Sequence, residues 1–285
     1  MDSEDESTDR TPAGVSHRVL HGAARAFLTG RLAGSVPTSL YWTLAAEYRE
    51  RYAVRVGDDA RVVRPYRPIQ LRPESVDRLT GRAYPPWENR FESLGRVRGG
   101  NWDRRPLSAD PERHPSVRLY GGDEMRETVL YRSLRNHFEA DTPWDETALF
   151  AVLTEEIDAG RAVWHDCDTE AAVRRRCERL DDLYETLRRD GYRSQLELAR
   201  RNQVAPGPDA FPRVMRHEIA VDVSRDGEPL LVEGKHRLML ADLLGVDSVP
   251  AVVYVRHPEW LAKRDAAGTE ASGRGRRSDS GAERF

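Results

Sequence analysis

Apolar and polar positions alternate with two different periods along this chain, and the change of period divides it. From His17 to Leu32 apolar residues recur at helical spacing (Val19, Leu20, Ala23, Ala24, Phe27, Leu28), and Gly34 and Pro37 end the run. Thr38 or Ser39 then caps a second helix that reaches about Arg51. Val54 to Val63 alternates about Gly57-Asp58-Asp59, the pattern of a short hairpin. Pro65 to Pro73 reads as extended, because prolines recur and each pushes the residue before it into β space. Residues 81–123 are rich in Gly, Pro and Trp and show little periodicity. They predict loop, with Arg96-Val97-Arg98 as one short strand.

Helical signals return at Asp141-Thr142-Pro143, followed by acidic residues, and that helix ends at Gly160. Asp168-Thr169 opens another. Its core stripe is Val173, Cys177, Leu180, Tyr184 and Leu187, and it stops at Gly191. Ser194 to Leu198 reads as a short strand and residues 202–213 as a proline-rich loop. The period then becomes two. Glu218 to Val223 is a strand, Arg225-Asp226-Gly227 a turn, and Leu230 to Val232 a second strand. A helix runs to Leu244 with Gly245 as its stop, and Val249 to Val255 is apolar enough for a strand buried on both faces. The expected fold class is α/β (α+β): a small mixed sheet with helices.

Composition adds limits. The 285 residues carry a net charge of -3, with 39% hydrophobic and 33% charged residues, so the total charge gives no support to a DNA partner. No apolar run is long enough to span a bilayer, and Met1 to Asp9 is acidic, unlike a signal peptide. Cys167 and Cys177 do not make a disulfide framework. A cytoplasmic protein without a membrane partner is the expectation. Residues 1–15 and 264–285 read as polar, disordered tails. Of the 45 Lys and Arg residues only Lys235 and Lys263 are lysines, as a GC-rich genome would produce.

One of those lysines marks the candidate chemistry. Leu230-Leu231-Val232-Glu233 runs into Gly234-Lys235-His236-Arg237 and then into an apolar helix. A strand, a glycine turn and a helix N-terminus form the geometry that binds phosphate. Gly234 lets backbone approach an anion, and Lys235, His236 and Arg237 add charge-assisted hydrogen bonds. Glu233 and His236 are the candidate catalytic residues; Glu233 can hold Mg²⁺, orient a hydroxyl or act as a base. Arg256 and His257, just past the last strand, are expected to close the pocket.

Other groups read as structural. His165-Asp166-Cys167 with Cys177 lacks the tight Cys pair and the fourth ligand of a zinc site, so no metal ligand is assigned. Gly99 to Asp103 reads as a turn anchored by a buried Trp102. Trp87, Trp144, Trp164 and Trp260 read as core or lid, and Arg174-Arg175-Arg176 as a solvated basic strip.

The order of these elements resembles the ParB/sulfiredoxin-like superfamily. Leu183 to Gly191 resembles the family's first helix, and Ser194-Gln195-Leu196 the Gln-Pro-Leu segment after it. Asp226 to Arg237 resembles the strand and Gly-x-His-Arg turn, and Gly245 to Val252 the Ile/Val-Pro exit strand. The resemblance implies a core over 180–257 within a ParB-like domain of 64–263, an insertion at about 77–170, and a helical N-terminal region over 16–63. It also implies ATP or CTP with Mg²⁺ as cofactors, with Gly234, His236 and Arg237 on the phosphates and Glu233 and Gln195 lining the pocket. Lys235 stands where sulfiredoxin has its cysteine, which argues against sulfinic reduction. Only 28 residues follow His257, too few for the DNA-binding and dimerisation domains of partition proteins. The expected function is therefore a nucleotide-binding protein, an ATP-dependent kinase (phosphotransferase) or NTPase acting on a small-molecule substrate. The alternatives are a DNA-associated regulator using CTP or ATP as a switch, and an interaction protein with an inactive pocket.

Overall fold

The structure, a computed structural model, describes residues 11–12, 28, 30–56, 61–82, 92–105, 107, 117–121, 124–161, 164 and 167–274. In chain order, β1 (Thr11–Pro12) precedes α1 (Thr38–Arg51), and β2 (Val54–Val56) and β3 (Arg61–Val63) form the expected hairpin. The turn between them, most of the first expected helix, Trp87, His165 and Asp166 lie outside the described residues. Pro37, not Thr38 or Ser39, occupies the N-cap of α1. β1 pairs with β2 through Thr11 and Pro12, so this part of the expected acidic tail is strand.

β4 (Ile69–Leu71) and β5 (Arg96–Val97) follow, then α2 (Val117–Tyr120), α3 (Val129–Ala140), α4 (Ala148–Asp158), α5 (Glu170–Asp190), α6 (Gln195–Arg201) and α7 (Ala210–Arg216). β6 (Ile219–Val223), β7 (Pro229–Glu233), α8 (Lys235–Leu243), β8 (Val249–Arg256) and α9 (Pro258–Arg274) complete the chain. α9 runs eleven residues into the expected C-terminal tail, where Ala266, Ala267, Glu270 and Ala271 favour helix.

The main sheet has the order β4-β8-β6-β7, and β5 joins β8 beyond β4. β8 is parallel to β5 and β6 and antiparallel to β4. β6, β7 and most of β8 are buried along their whole length, because helices cover both faces. Ile219, Val221, Val223, Val249, Ala251 and Val253 face the layer that contains α3, α4, α5 and α8. Ala220, Leu230, Val232, Val252 and Tyr254 face the layer that contains α1, α6 and α7. The fold is thus a mixed α/β sandwich, as the alternation implied.

Two local expectations give way. Ser194 to Leu198 is not a strand: Ser194 and Glu197 form a capping box that opens α6. The last four residues of the proline-rich stretch, 210–213, are already helix and open α7. Residues of the expected insertion at 77–170 contribute to the core. Leu79 bridges to Leu231, β5 extends the sheet, and the buried Arg82 guanidinium meets Asp222 at 3.0 Å.

Candidate functional site

β7 ends at Glu233, and Gly234 turns the chain into α8 with φ 77, in the left-handed region. A Cβ there would stand 2.8 Å from Ile219 Cγ1 and 3.0 Å from Ile219 Cα, so glycine is required twice over. A left-handed residue followed by a right-handed one makes successive backbone N–H groups converge on one point. Gly234, the N-cap of α8, has no side chain to offer as a cap. The helix dipole adds a partial positive charge at the same end.

Each cation of the turn has a protein contact. Lys235 Nζ donates to Val232 O at 3.0 Å and stands 5.0 Å from the centroid of the Tyr120 ring. Arg237 donates to His217 O and lies over Gly234. His236 accepts at Nε2 from Trp164 Nε1–H at 3.1 Å, and since indole only donates, the ring carries its own proton at Nδ1. Trp164 is buried and itself left-handed, at φ 51, and the Cys167 thiol donates to its carbonyl at 3.3 Å. A strained residue held this way fixes the orientation of His236.

Glu233 is 8% exposed at the strand end. Gln195 opens α6, whose first turn is held by a residue that sequence reasoning missed. Glu218 is 3% exposed, and its Oε1 accepts Leu196 N–H at 3.2 Å. Burial pushes its carboxyl above the ordinary value, against the pull of the Gln195 and Leu196 N–H groups and Arg237. Tyr192 is pushed up to about 12, first by burial, with Arg237 opposing. The His217 ring is held below its usual value, first by desolvation and then by Arg237, Arg216 and Arg213. Arg237 thus stands at the centre of a polar cluster formed by Tyr192, His217 and Glu218.

Arg256 and His257 do not join this site. β8 runs parallel to β6, so its C-terminal end pairs at Val223, whereas Glu233 pairs at Ala220. Three residues of strand, about 10 Å, separate them. At that far end His257 Nε2 donates to Gly100 O at 3.1 Å and its Nδ1 accepts the Glu259 N–H, which caps α9. Arg225 joins Asp103 at 2.8 Å, and Trp102 Nε1 donates to Arg98 O, so the Gly99 to Asp103 segment is a tightly bonded turn. Burial opposes ionisation of Asp103, but Arg225 wins and holds the carboxyl far below its usual range.

Cys167 and Cys177 are buried free thiols. Among the described residues no group of three or more His, Cys, Asp or Glu side chains is placed to hold a metal ion, and no helix is long and apolar enough to cross a membrane. Comparison with known proteins finds no family model, no curated protein and no solved structure that matches the chain.

Proposed function

We propose that this chain binds a nucleotide by its phosphates at the N-terminus of α8, as a ParB/sulfiredoxin-like domain protein that acts as an ATP-dependent kinase or NTPase on a small molecule. One observation carries the reading: Gly234 is left-handed, has no room for a Cβ, and opens α8 directly onto Lys235, His236 and Arg237. A phosphate oxygen accepts the first N–H groups of α8. Lys235 and Arg237 exchange their carbonyl contacts for phosphate oxygens, which are stronger acceptors because they are charged. His236, with its proton at Nδ1, donates from that atom. Glu233 is the carboxylate the turn supplies for a base or for Mg²⁺, an ion that takes one or two carboxylates and completes its shell with substrate phosphates.

Thermal melting with ATP, CTP and GTP plus Mg²⁺ tests this. A ligand at 100 times its Kd adds about 2.7 kcal/mol to the native state, so the midpoint must rise. Arg237→Ala is expected to abolish the rise. If no nucleotide moves the wild-type midpoint at millimolar concentration, the reading fails.

A further inference from the structure

The arginines of α5 divide into two kinds. Arg174 pairs with Glu170 and Asp145, Arg188 with Glu185, and Arg189 with Asp190. Arg175, Arg176 and Arg179 make no ion pair or hydrogen bond among the described residues. Arg176 is the unusual member, because it is half-buried, where an uncompensated charge is costly. Burial first, and the Arg179 guanidinium next, push its pKa down from the ordinary arginine value. All three guanidiniums are within electrostatic reach of the Cys167 thiol, around which they make a basic patch.

That place adjoins the turn by two routes. Arg176 lies over the Trp164 ring at 5.8 Å, and Trp164 holds His236. Lys235 lies over the Tyr120 ring at 5.0 Å, and the Tyr120 hydroxyl is within electrostatic reach of Arg176. Trp164 thus lies between Arg176 and His236, and Tyr120 carries Lys235 of the same turn on its ring.

We propose that Arg176, backed by Arg175 and Arg179, is a second anion subsite that selects ligands with two or more phosphoryl groups over monophosphates. This rests on phosphate binding at α8. The first phosphoryl group sits on the helix N-terminus, and the next, reached past Lys235, neutralises the half-buried guanidinium. Arg176 is then a specificity-determining residue supplied by α5.

The test compares AMP and ADP by titration calorimetry on the full chain. Wild type is expected to bind ADP at least about tenfold more tightly than AMP, the scale of one charge-assisted pair. Arg176→Met keeps the side-chain stem against Trp164 and removes the charge. It is expected to lose about tenfold for ADP and to stay within about twofold for AMP. The exposed Arg188→Ala serves as the control and changes neither. If R176M melts below the wild type, the double variant R175A/R179A, both exposed side chains, should still weaken ADP selectively. If AMP binds but ADP is no tighter, or R176M weakens both equally, the subsite is refuted and the α8 reading stands. If neither nucleotide binds the wild type, both fall. If a single-stranded oligonucleotide displaces ADP and loses binding in R176M, the patch serves nucleic acid and the proposal is overturned.

Discussion

Replacing Gly234 by alanine isolates what the turn demands. The added Cβ meets Ile219 at 2.8 Å from Cγ1 and 3.0 Å from Cα, and Ile219 cannot retreat because its backbone pairs with Ala251 of β8. Gly245 supplies the reference. It is also left-handed, at φ 64, but a Cβ there meets nothing within 4 Å. The left-handed conformation costs alanine about 1–2 kcal/mol, and the stiffer unfolded chain returns about 0.4–1 kcal/mol. Gly245→Ala should therefore lose about 1 kcal/mol or less. Gly234→Ala adds the cost of overpacking, about 1–3 kcal/mol, and should lose about 1–4 kcal/mol. Urea denaturation of both variants, with m values equal to the wild type, measures the difference. If the two losses agree within about 0.5 kcal/mol, the close approach of β6 to the turn is not tight, and the account of why glycine is needed there is wrong.

Asp222→Ala should cost about 3–5 kcal/mol in urea denaturation, because it leaves the buried Arg82 guanidinium without the carboxylate that also accepts from Thr80 and the Val255 N–H; a loss under about 1 kcal/mol would contradict the pairing. Glu156 is held down to about 2 by Arg161 first and Arg118 next. A depressed carboxylate contributes stability above its unfolded value, and that contribution is lost as pH falls through the folded one. The wild-type melting midpoint should thus fall more steeply than that of Glu156→Gln between about pH 5 and pH 2. Burial pushes the Cys177 thiol up to about 12, so thiol reagents at mild alkaline pH should leave it unmodified until the chain unfolds. The His217 ring should titrate below 6.5 in proton NMR, and its midpoint should rise when phosphate binds beside Arg237.

The sheet was legible because its strands alternate or run wholly apolar, and glycines mark its turns. The helix Val129–Ala140 also left a signal, Thr128 as a cap and Leu130 and Leu134 one turn apart, though the irregular stretch before it obscured that signal. Ser194 to Leu198 misled because a seven-residue helix shows barely two turns of period, and its capping box is the better indicator. For the site, the turn itself could be read from local spacing. Arg256 and His257 could not be placed, since whether a strand's end meets the turn depends on strand direction, which pairing sets and local pattern does not. Glu218, Tyr192 and Arg176 were missed for a related reason. Each gains its meaning from burial beside a distant element, and Arg176 looks like its neighbours until Arg174 is paired with its carboxylates and Arg175 is seen to be exposed.

The central claim is that the N–H groups opening α8 receive phosphate. Amide NMR of the full chain during titration with ADP tests it most directly. The account predicts that the Lys235, His236 and Arg237 amide protons shift downfield and saturate together. If those three resonances stay still while the nucleotide reaches millimolar concentration, the helix N-terminus is not a phosphate site and the claim is contradicted.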